Sequence, residues 1–342
     1  RSTLFPYTTL FRSPAGQAVK RGASDIHMVS GIRLKCRVDG ALSNLSERRV
    51  TRQGCERLAE ELLGADWQAC LLAGERDLAV TLAGRRCRAH LFLQQGQPSI
   101  AIRLLAEGIP GIETLGLPEV VHTFADFSKG LVLVTGETGS GKSTTLASLI
   151  DHINHRRPVH VITLEDPIEY LYQPDLALIN QREIGRDTLN FATGLRSALR
   201  EDPDVLLVGE MRDLETVETA ILAAETGHLV FATLHTGSAV EAIDRIVNVF
   251  PEGRQPLIRT TLSMTLKAVL SQRLLPRKGG GRVLACEVMM PTPAICHMIR
   301  EGKLSQIENA MLTGAQAGSI TMAQSLEALS ARGEIASTLT QG

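Results

Sequence analysis

An apolar run, Gly130-Leu131-Val132-Leu133-Val134-Thr135, leads directly into Gly136-Glu137-Thr138-Gly139-Ser140-Gly141-Lys142-Ser143, and Thr144-Thr145-Leu146-Ala147-Ser148-Leu149-Ile150 follows. The first run has strand length, the last reads as a helix, and the segment between them fits G-x-x-x-x-G-K-[ST], the P-loop pattern. Few sequences can make that turn. Glycines let successive backbone N–H groups point inward, and the helix start adds positive potential, so the turn becomes a cradle for phosphates. The expected nucleotide contacts are Gly136, Glu137, Thr138, Gly139, Ser140, Gly141, Lys142, Ser143 and Thr144. Lys142 is expected to reach the β- and γ-phosphates of ATP, and the Ser143 hydroxyl to ligate Mg²⁺.

The surroundings of the loop fit an open α/β sheet. Residues 160–164 and the continuous apolar run Val205-Leu206-Leu207-Val208 read as strands, and 228–233 as the next one. Stretches 191–200 and 214–226 read as helices, the second opened by Asp213 and closed by Gly227. Ser238-x-x-Glu241 predicts a capping box before a helix with Ile243, Ile246 and Val247 on one face. Strand and helix in alternation predict a mostly parallel sheet covered on both faces. The 342 residues are enough for two domains. Residues 14–107, with strand-like pieces at 34–38, 78–82 and 100–104 around a helix at 56–63, read as a small α+β domain. Residues 108–117 read as a linker, opened by Gly108-Ile109-Pro110-Gly111, and 118–342 as the nucleotide domain. Residues 1–13 read as foreign: the chain does not start with Met, and Thr3-Leu4-Phe5 recurs as Thr9-Leu10-Phe11. They resemble translated adapter sequence and are set aside from the fold.

Charge and composition exclude several classes. Lys and Arg number 36 against 37 Asp and Glu, giving a net charge of −1, and aromatic residues are only 4%. A nucleic-acid binder needs a basic excess and stacking platforms, so no nucleic-acid partner is expected. No apolar stretch approaches the roughly 20 residues that cross a bilayer, so no direct membrane insertion is expected. The six cysteines, at 36, 55, 70, 87, 286 and 296, form no C-x-x-C pair and read as small buried hydrophobes in a reducing compartment rather than zinc ligands.

Four further groups carry chemistry. Glu165-Asp166-Pro167-Ile168-Glu169 places three carboxylates just past a strand end, where open α/β sheets bind ligands. Such a carboxylate can orient the water that attacks a γ-phosphate. Val205 to Glu210 has the form of a Walker B strand, with Gly209-Glu210 in place of the usual Asp-Glu pair, so Glu210 is expected to hold the water shell of Mg²⁺. His228 and His235 bracket the strand between them; a lone histidine is more often structural, but one that bonds phosphate or a subunit boundary fits the same position. Arg86, Arg88 and Arg103 lie in the first domain. Spacing alone favours solvated surface arginines there, although P-loop enzymes use an arginine against transition-state charge.

Together, Gly136 to Thr145, Glu165 to Tyr170, Arg196 to Val205, Gly209 to Asp213 and Glu225 to Phe231 resemble the ATPases of type IV pili and type II secretion, and among them the twitching-motility (PilT-type) retraction ATPases. The resemblance runs from about Arg21 to about Ser330 and includes Gly22 to His27 and Arg37 to Gly40. It implies a RecA-like P-loop ATPase domain behind a smaller PAS-like α+β domain, assembled as a homo-hexamer with nucleotide between subunits. It also implies Glu169 as the catalytic glutamate, Glu165 and Asp166 beside it, Glu210 as the Walker B glutamate, His228 and His235 as the histidine box, and Arg88 and Arg103 as arginines that approach nucleotide. The implied setting is the cytoplasmic face of the inner membrane, with a membrane platform protein as partner. Missing zinc-binding cysteines favour retraction over pilus extension or type II secretion. One departure stands out: a typical Ala-Ile-Arg-Asn-Leu-Ile-Arg-Glu reads Ala294-Ile295-Cys296-His297-Met298-Ile299-Arg300-Glu301. It motivates a second reading, an accessory ring subunit with weak turnover that works beside a paralogous pilus ATPase. The family's first helix is expected to be missing or replaced by the foreign residues.

Overall fold

The computed structural model describes residues 9–38, 40–105, 108–313, 317–336 and 338. Residues 1–8 of the stretch read as foreign, and Asp39 of the Arg37 to Gly40 motif, lie outside the described residues. The chain divides into two compact units: Arg1–Gly108 with Pro167–Leu171, and Ile109–Asp166 with Tyr172–Gly342.

The first unit runs α1 (Thr9–Lys20), β1 (Asp25–Met28), β2 (Arg33–Val38), β3 (Ala41–Arg49), α2 (Arg52–Leu63), α3 (Trp67–Leu72), β4 (Arg76–Leu82), β5 (Arg85–Gln94) and β6 (Gln97–Leu104). Its strands form one sheet in the order β3-β2-β1-β6-β5-β4, antiparallel throughout. The period of two is plain on β5, where Cys87, Ala89 and Leu91 are buried and Arg86, Arg88 and His90 are not. Thr51 caps α2 by accepting from the Gly54 N–H (3.1 Å), and the helix packs Cys55, Leu58 and Ala59 into the same core. A helix forms at this end of the described chain. Helix α1 starts at Thr9, inside the stretch set aside, and Ala15 and Ala18, three residues apart, are fully buried in the core of this unit.

The segment Pro167–Leu171 belongs to this first unit, where Arg86 Nε donates to the Ile168 carbonyl (3.0 Å). Glu169 is therefore carried by the first unit, whereas Glu165 and Asp166 belong to the second.

The second unit contains α4 (Glu119–His122), β7 (Gly130–Thr135), α5 (Lys142–Asn154), β8 (His160–Glu165), β9 (Leu178–Glu183), α6 (Phe191–Ala198), β10 (Val205–Val208), α7 (Leu214–Glu225), β11 (Leu229–Leu234), α8 (Ala239–Asn248), α9 (Gln255–Thr265), β12 (Leu266–Pro276), β13 (Arg282–Met289), α10 (Pro293–Glu301), α11 (Ile307–Thr313) and α12 (Met322–Ala331). The sheet order is β13-β12-β7-β11-β10-β8-β9, parallel except for the β12–β13 pair. Alternate residues feed opposite faces. Leu131, Leu133, Ile162, Leu164, Leu206, Val208, Val230 and Ala232 join one cluster with residues of α6 to α11. Val132, Val134, Leu207 and Phe231 are buried outside that cluster, and α5 packs against β7.

Three strands of the second unit escape the sequence reading for a physical reason. Strand β9 reads Leu-Ile-Asn-Gln-Arg-Glu, the polar composition of a sheet edge, and β12 is interrupted by Ser271-Gln272-Arg273. Strand β13 holds an acidic residue, Glu287, inside an apolar run. Strand β11 starts at Leu229, one residue later than read.

The start of α7 is built as expected. Asp213 is extended at φ −113° and its side chain accepts from the Thr216 N–H (2.9 Å) and the Thr216 hydroxyl (2.8 Å). Replacing Asp213 by Ala should lower stability by about 1 kcal/mol, the usual effect of losing such a cap. A lowered urea midpoint at unchanged slope is the expected reading, and an unchanged midpoint counts against it.

Candidate active site

The P-loop forms at the carboxyl end of β7, the end of a parallel sheet where ligands bind. Gly136 sits at φ +142°, and a Cβ there would stand 2.4 Å from the Gln272 carbonyl oxygen and 2.5 Å from Ser140 Oγ. Only glycine fits this crossing. Gly141 at φ +98° is the residue before α5 and brings no capping side chain to the helix start. The first-turn N–H groups that a Ser or Asp cap would normally occupy thus face the loop, the arrangement that favours an anion.

The remaining loop residues fit a phosphate. Gly136 and Ser140 are buried; Glu137, Thr138, Gly139 and Ser143 are exposed, and Lys142 and Thr144 lie between. Lys142 Nζ donates to the carbonyls of Gly136 (2.7 Å) and Glu137 (3.0 Å), folding its ammonium over the loop. Burial pulls the Lys142 ammonium below its ordinary range, and the Glu210 carboxylate works against that. Ser140 Oγ is buried and, among the described residues, has no hydrogen-bond partner; the same holds for Thr236 Oγ1 and Gln272 Oε1. Unpartnered buried oxygens are rare in a folded interior and match a site built for a polar ligand.

Register brings the other groups alongside. Val208 of β10 lies opposite Ala232 and Leu164, so Glu210, two residues on, reaches the level of Leu234 and Asp166. Leu234 in turn lies opposite Thr135, the last residue before the loop. Glu210 Oε1 is 3.1 Å from His235 Nε2 and also pairs with Arg212 Nε. The Arg212 partner was missed by sequence reading, because nothing in a sequence says that residues 210 and 212 turn toward each other. Burial and the Lys142 charge hold His235 below the ordinary imidazole range; Glu210 opposes them and Arg212 adds to them. Glu165 Oε1 accepts from the Thr163 hydroxyl (2.7 Å) and from Gln181 Nε2 (3.1 Å), at the end of β8.

Gly209, which replaces an expected Asp, has a steric cause. A Cβ there would lie 2.9 Å from the Leu164 carbonyl oxygen and 3.4 Å from Glu165 Cα. The chain after β10 runs too close to β8 for a side chain, and the Gly209 N–H donates to that same carbonyl (2.8 Å). Of the pair Gly209-Glu210, only Glu210 therefore brings a carboxylate to this strand end.

The structure does not bring His228 to this group. It precedes β11 at the amino end of the sheet, where the Gly130 N–H donates to its carbonyl (2.9 Å), while Glu210 and the P-loop lie at the carboxyl end. Its ring nitrogen Nδ1 is 3.0 Å from the Ala223 carbonyl, so the side chain is spent on the end of α7. In the first unit Arg88 pairs with Asp77 (3.3 Å) and Arg103 with Asp25 (3.0 Å), and the two arginines lie directly opposite each other on β5 and β6. Glu169 is half-buried in its short segment.

Since the folded imidazole of His235 lies below its ordinary value of 6.5, it binds protons less well than the unfolded one. The stability this supplies is present above pH 6.5 and is lost as pH falls through the depressed value. The expected NMR titration of the His235 ring has its midpoint below 6.5. In His235→Gln the loss of stability on the acid side should be shallower, and a midpoint above 6.5 contradicts the described environment.

A family model described as Type II/IV secretion system protein matches residues 5–329, beginning inside the stretch read as foreign. The chain is similar to the type IV pilus retraction ATPase PilT of Pseudomonas aeruginosa, 44% identical over 323 residues that cover 93% of both chains. It is also similar to the uncharacterized protein YggR of Escherichia coli, 46% identical over 312 residues covering 91% of this chain and 95% of that one. Among solved structures it is similar to the pilus retraction motor PilT with bound ADP: 46% identical, TM-score 0.88, covering 94% of this chain and 93% of the other.

Proposed function

We propose that this chain, which belongs to the type II/IV secretion system protein family and is an ATPase of that family, is a pilus retraction motor that couples hydrolysis of ATP with Mg²⁺ to the removal of subunits from a type IV pilus. It acts as a homo-hexamer at the cytoplasmic face of the inner membrane, against a membrane platform protein. The observation that carries the reading is the convergence of Lys142, Glu210 and His235 at the carboxyl end of the sheet, beside a helix start that no side chain caps. The likeness over both units to a retraction motor with bound ADP supports the choice of ligand and machine. Among the described residues no helix is long and apolar enough to cross a membrane.

Each residue has a task. Loop N–H groups from Glu137 to Ser143 and the dipole of α5 bind the phosphates. The Lys142 ammonium exchanges the carbonyls of Gly136 and Glu137 for phosphate oxygens. Ser143 and Glu210 would hold Mg²⁺, with Glu165 and Asp166 adding negative charge nearby, and the ion would supply positive charge against the phosphate oxygens. Glu169 orients the attacking water, and the proton of that water leaves to a carboxylate. His235, kept largely neutral, fixes Glu210 through Nε2 without adding a full positive charge next to Lys142. Arg88 and Arg103, supplied within the ring, offset the charge that develops in the transition state.

The second reading, an accessory ring subunit, has one specific feature behind it. On α10 the departures Cys296 and His297 are half-buried and exposed, while Ile295 and Ile299 fill the core. Thr292 caps the helix through the Ile295 N–H (3.3 Å) and Arg300 Nε reaches Ser263 Oγ (3.5 Å), so the helix itself is kept. The change thus falls on the outer side of α10 and not on the residues assigned to hydrolysis.

Purified Lys142→Ala is expected to lose about 10²-fold or more in ATP turnover, because preorganised charge is usually the largest catalytic term. Wild-type turnover in Lys142→Ala refutes the site. Brisk wild-type hydrolysis also disfavours the accessory reading. Deleting the gene should leave abundant surface pili without motility; a bald cell would make the chain an extension motor instead.

A further inference from the structure

Glu287 is a carboxylate that hydrolysis does not use, yet it is only 7% exposed. It sits on β13 opposite Ser271 of β12, and Ser271 sits opposite Thr135 of β7, with the two hydroxyls 2.9 Å apart. Thr135 pairs in turn with Leu234 at the end of β11. One row across the sheet therefore joins Glu287, the threshold of the P-loop and the residue before His235.

The carboxylate is held by two helix starts from distant parts of the chain. Glu287 Oε1 accepts from the N–H of Ala239, the first residue of α8 (2.7 Å). It also accepts from the N–H of Met322, the first residue of α12. Both helix dipoles and both charge-assisted bonds favour an anion there. Burial still pushes the carboxyl above its usual range, with the two N–H groups pulling it down, Glu308 pushing it up and Arg273 pulling it down. Burying a charge to join two helices is an expensive way to fill a core, and it serves geometry better than packing. From the end of β11 to α8 the chain holds only His235, Thr236, Gly237 and Ser238, and the Gly237 N–H is tied to Glu241 Oε2 (2.7 Å).

We propose that Glu287 is a positioning residue: it bolts the start of α8 to the sheet and to the C-terminal helix α12, and so holds the His235 turn against Glu210. The inference rests on His235 and Glu210 acting in hydrolysis. It also makes α12, far from the P-loop in sequence, a lever on the hydrolytic groups.

Two full-length variants test it. In Glu287→Gln the amide NH₂ faces one of the two N–H donors, so one bond is lost at nearly constant size. Met322→Pro removes the N–H to Glu287 and also a side chain that packs beside Leu326 and Leu329, so Met322→Ala, which keeps the N–H, is its control; proline suits the first helical position, and Thr321 before it is already extended at ψ 158°. The expected result for Glu287→Gln is a kcat lowered about 10- to 100-fold, the scale of a misplaced catalytic group, with KM and ADP affinity within about 2-fold of wild type. The backbone amide NMR signals of His235, Thr236 and Gly237 should shift, since the turn loses part of its anchor at Ala239. Met322→Pro should move the same readouts in the same direction by less, and it decides the matter if Glu287→Gln fails to fold. A reduced melting temperature with unchanged kcat and unchanged amide signals in the 235–237 turn overturns the proposal and leaves Glu287 a purely structural residue. If the wild type itself does not hydrolyse ATP, the function fails, and the backbone amide signals of residues 235–237 alone still decide whether Glu287 places that turn.

Discussion

The crossing of backbones at Gly136 is the constraint on which the site depends. With the Gln272 carbonyl and Ser140 Oγ both inside the space of a methyl group, the chain leaving β7 can pass only as glycine. That passage lets the loop curl over the start of α5 and leaves the helix N–H groups turned toward it. Strand β12 holds the crossing from the other side. Gln272 Nε2 donates to Thr145 Oγ1 of α5 (2.8 Å), and Thr135 donates to Ser271. Both pairs are buried, where a hydrogen bond is strong and a missing one is costly. Polar residues inside β12 thus serve as struts under the loop, which explains why that strand is not a plain apolar run.

Electrostatics on the same edge is arranged around one carboxylate. Glu210 is 18% exposed at the side chain and lies between His235 and Arg212, with Lys142 close enough to influence both His235 and itself to be influenced by Glu210. Burial lowers the proton affinity of Lys142 and of His235 together. For the lysine, two loop carbonyls take up the half-buried ammonium's hydrogen bonds. For the histidine, burial keeps a second full cation away from the first. The two units divide the acids between them: Glu165, Asp166 and Glu210 belong to one, and Glu169 to the other.

Much of this was legible in the chain because it obeys local rules. A strand of six apolar residues, a glycine loop and a helix must follow one another at 130–154, whatever surrounds them, since period, glycine content and helix start are properties of adjacent residues. The cap at Asp213 formed as read. The Ser238 cap formed too, but Glu241 reaches Gly237 rather than closing the box on Ser238, a choice set by the loop's path out of β11. Polar β9 and β12 were illegible because their polarity is satisfied by neighbours distant in sequence, and helix α1 because its buried alanines find partners only on the folded sheet.

By itself, then, the order of residues determined that a glycine turn joins a buried strand to a helix, which residues compose it, and that a glutamate follows a second buried strand. Tertiary structure alone decided the rest. It gave Glu210 its two cationic neighbours, sent His228 to the far end of β11, left no room for a side chain at 209, and tied Glu287 to two helices. The physical reason is range. Turns, caps and periodicity are settled within a few residues, whereas ion pairs, steric crossings and pKa shifts depend on strand order and register, which no short window of sequence contains.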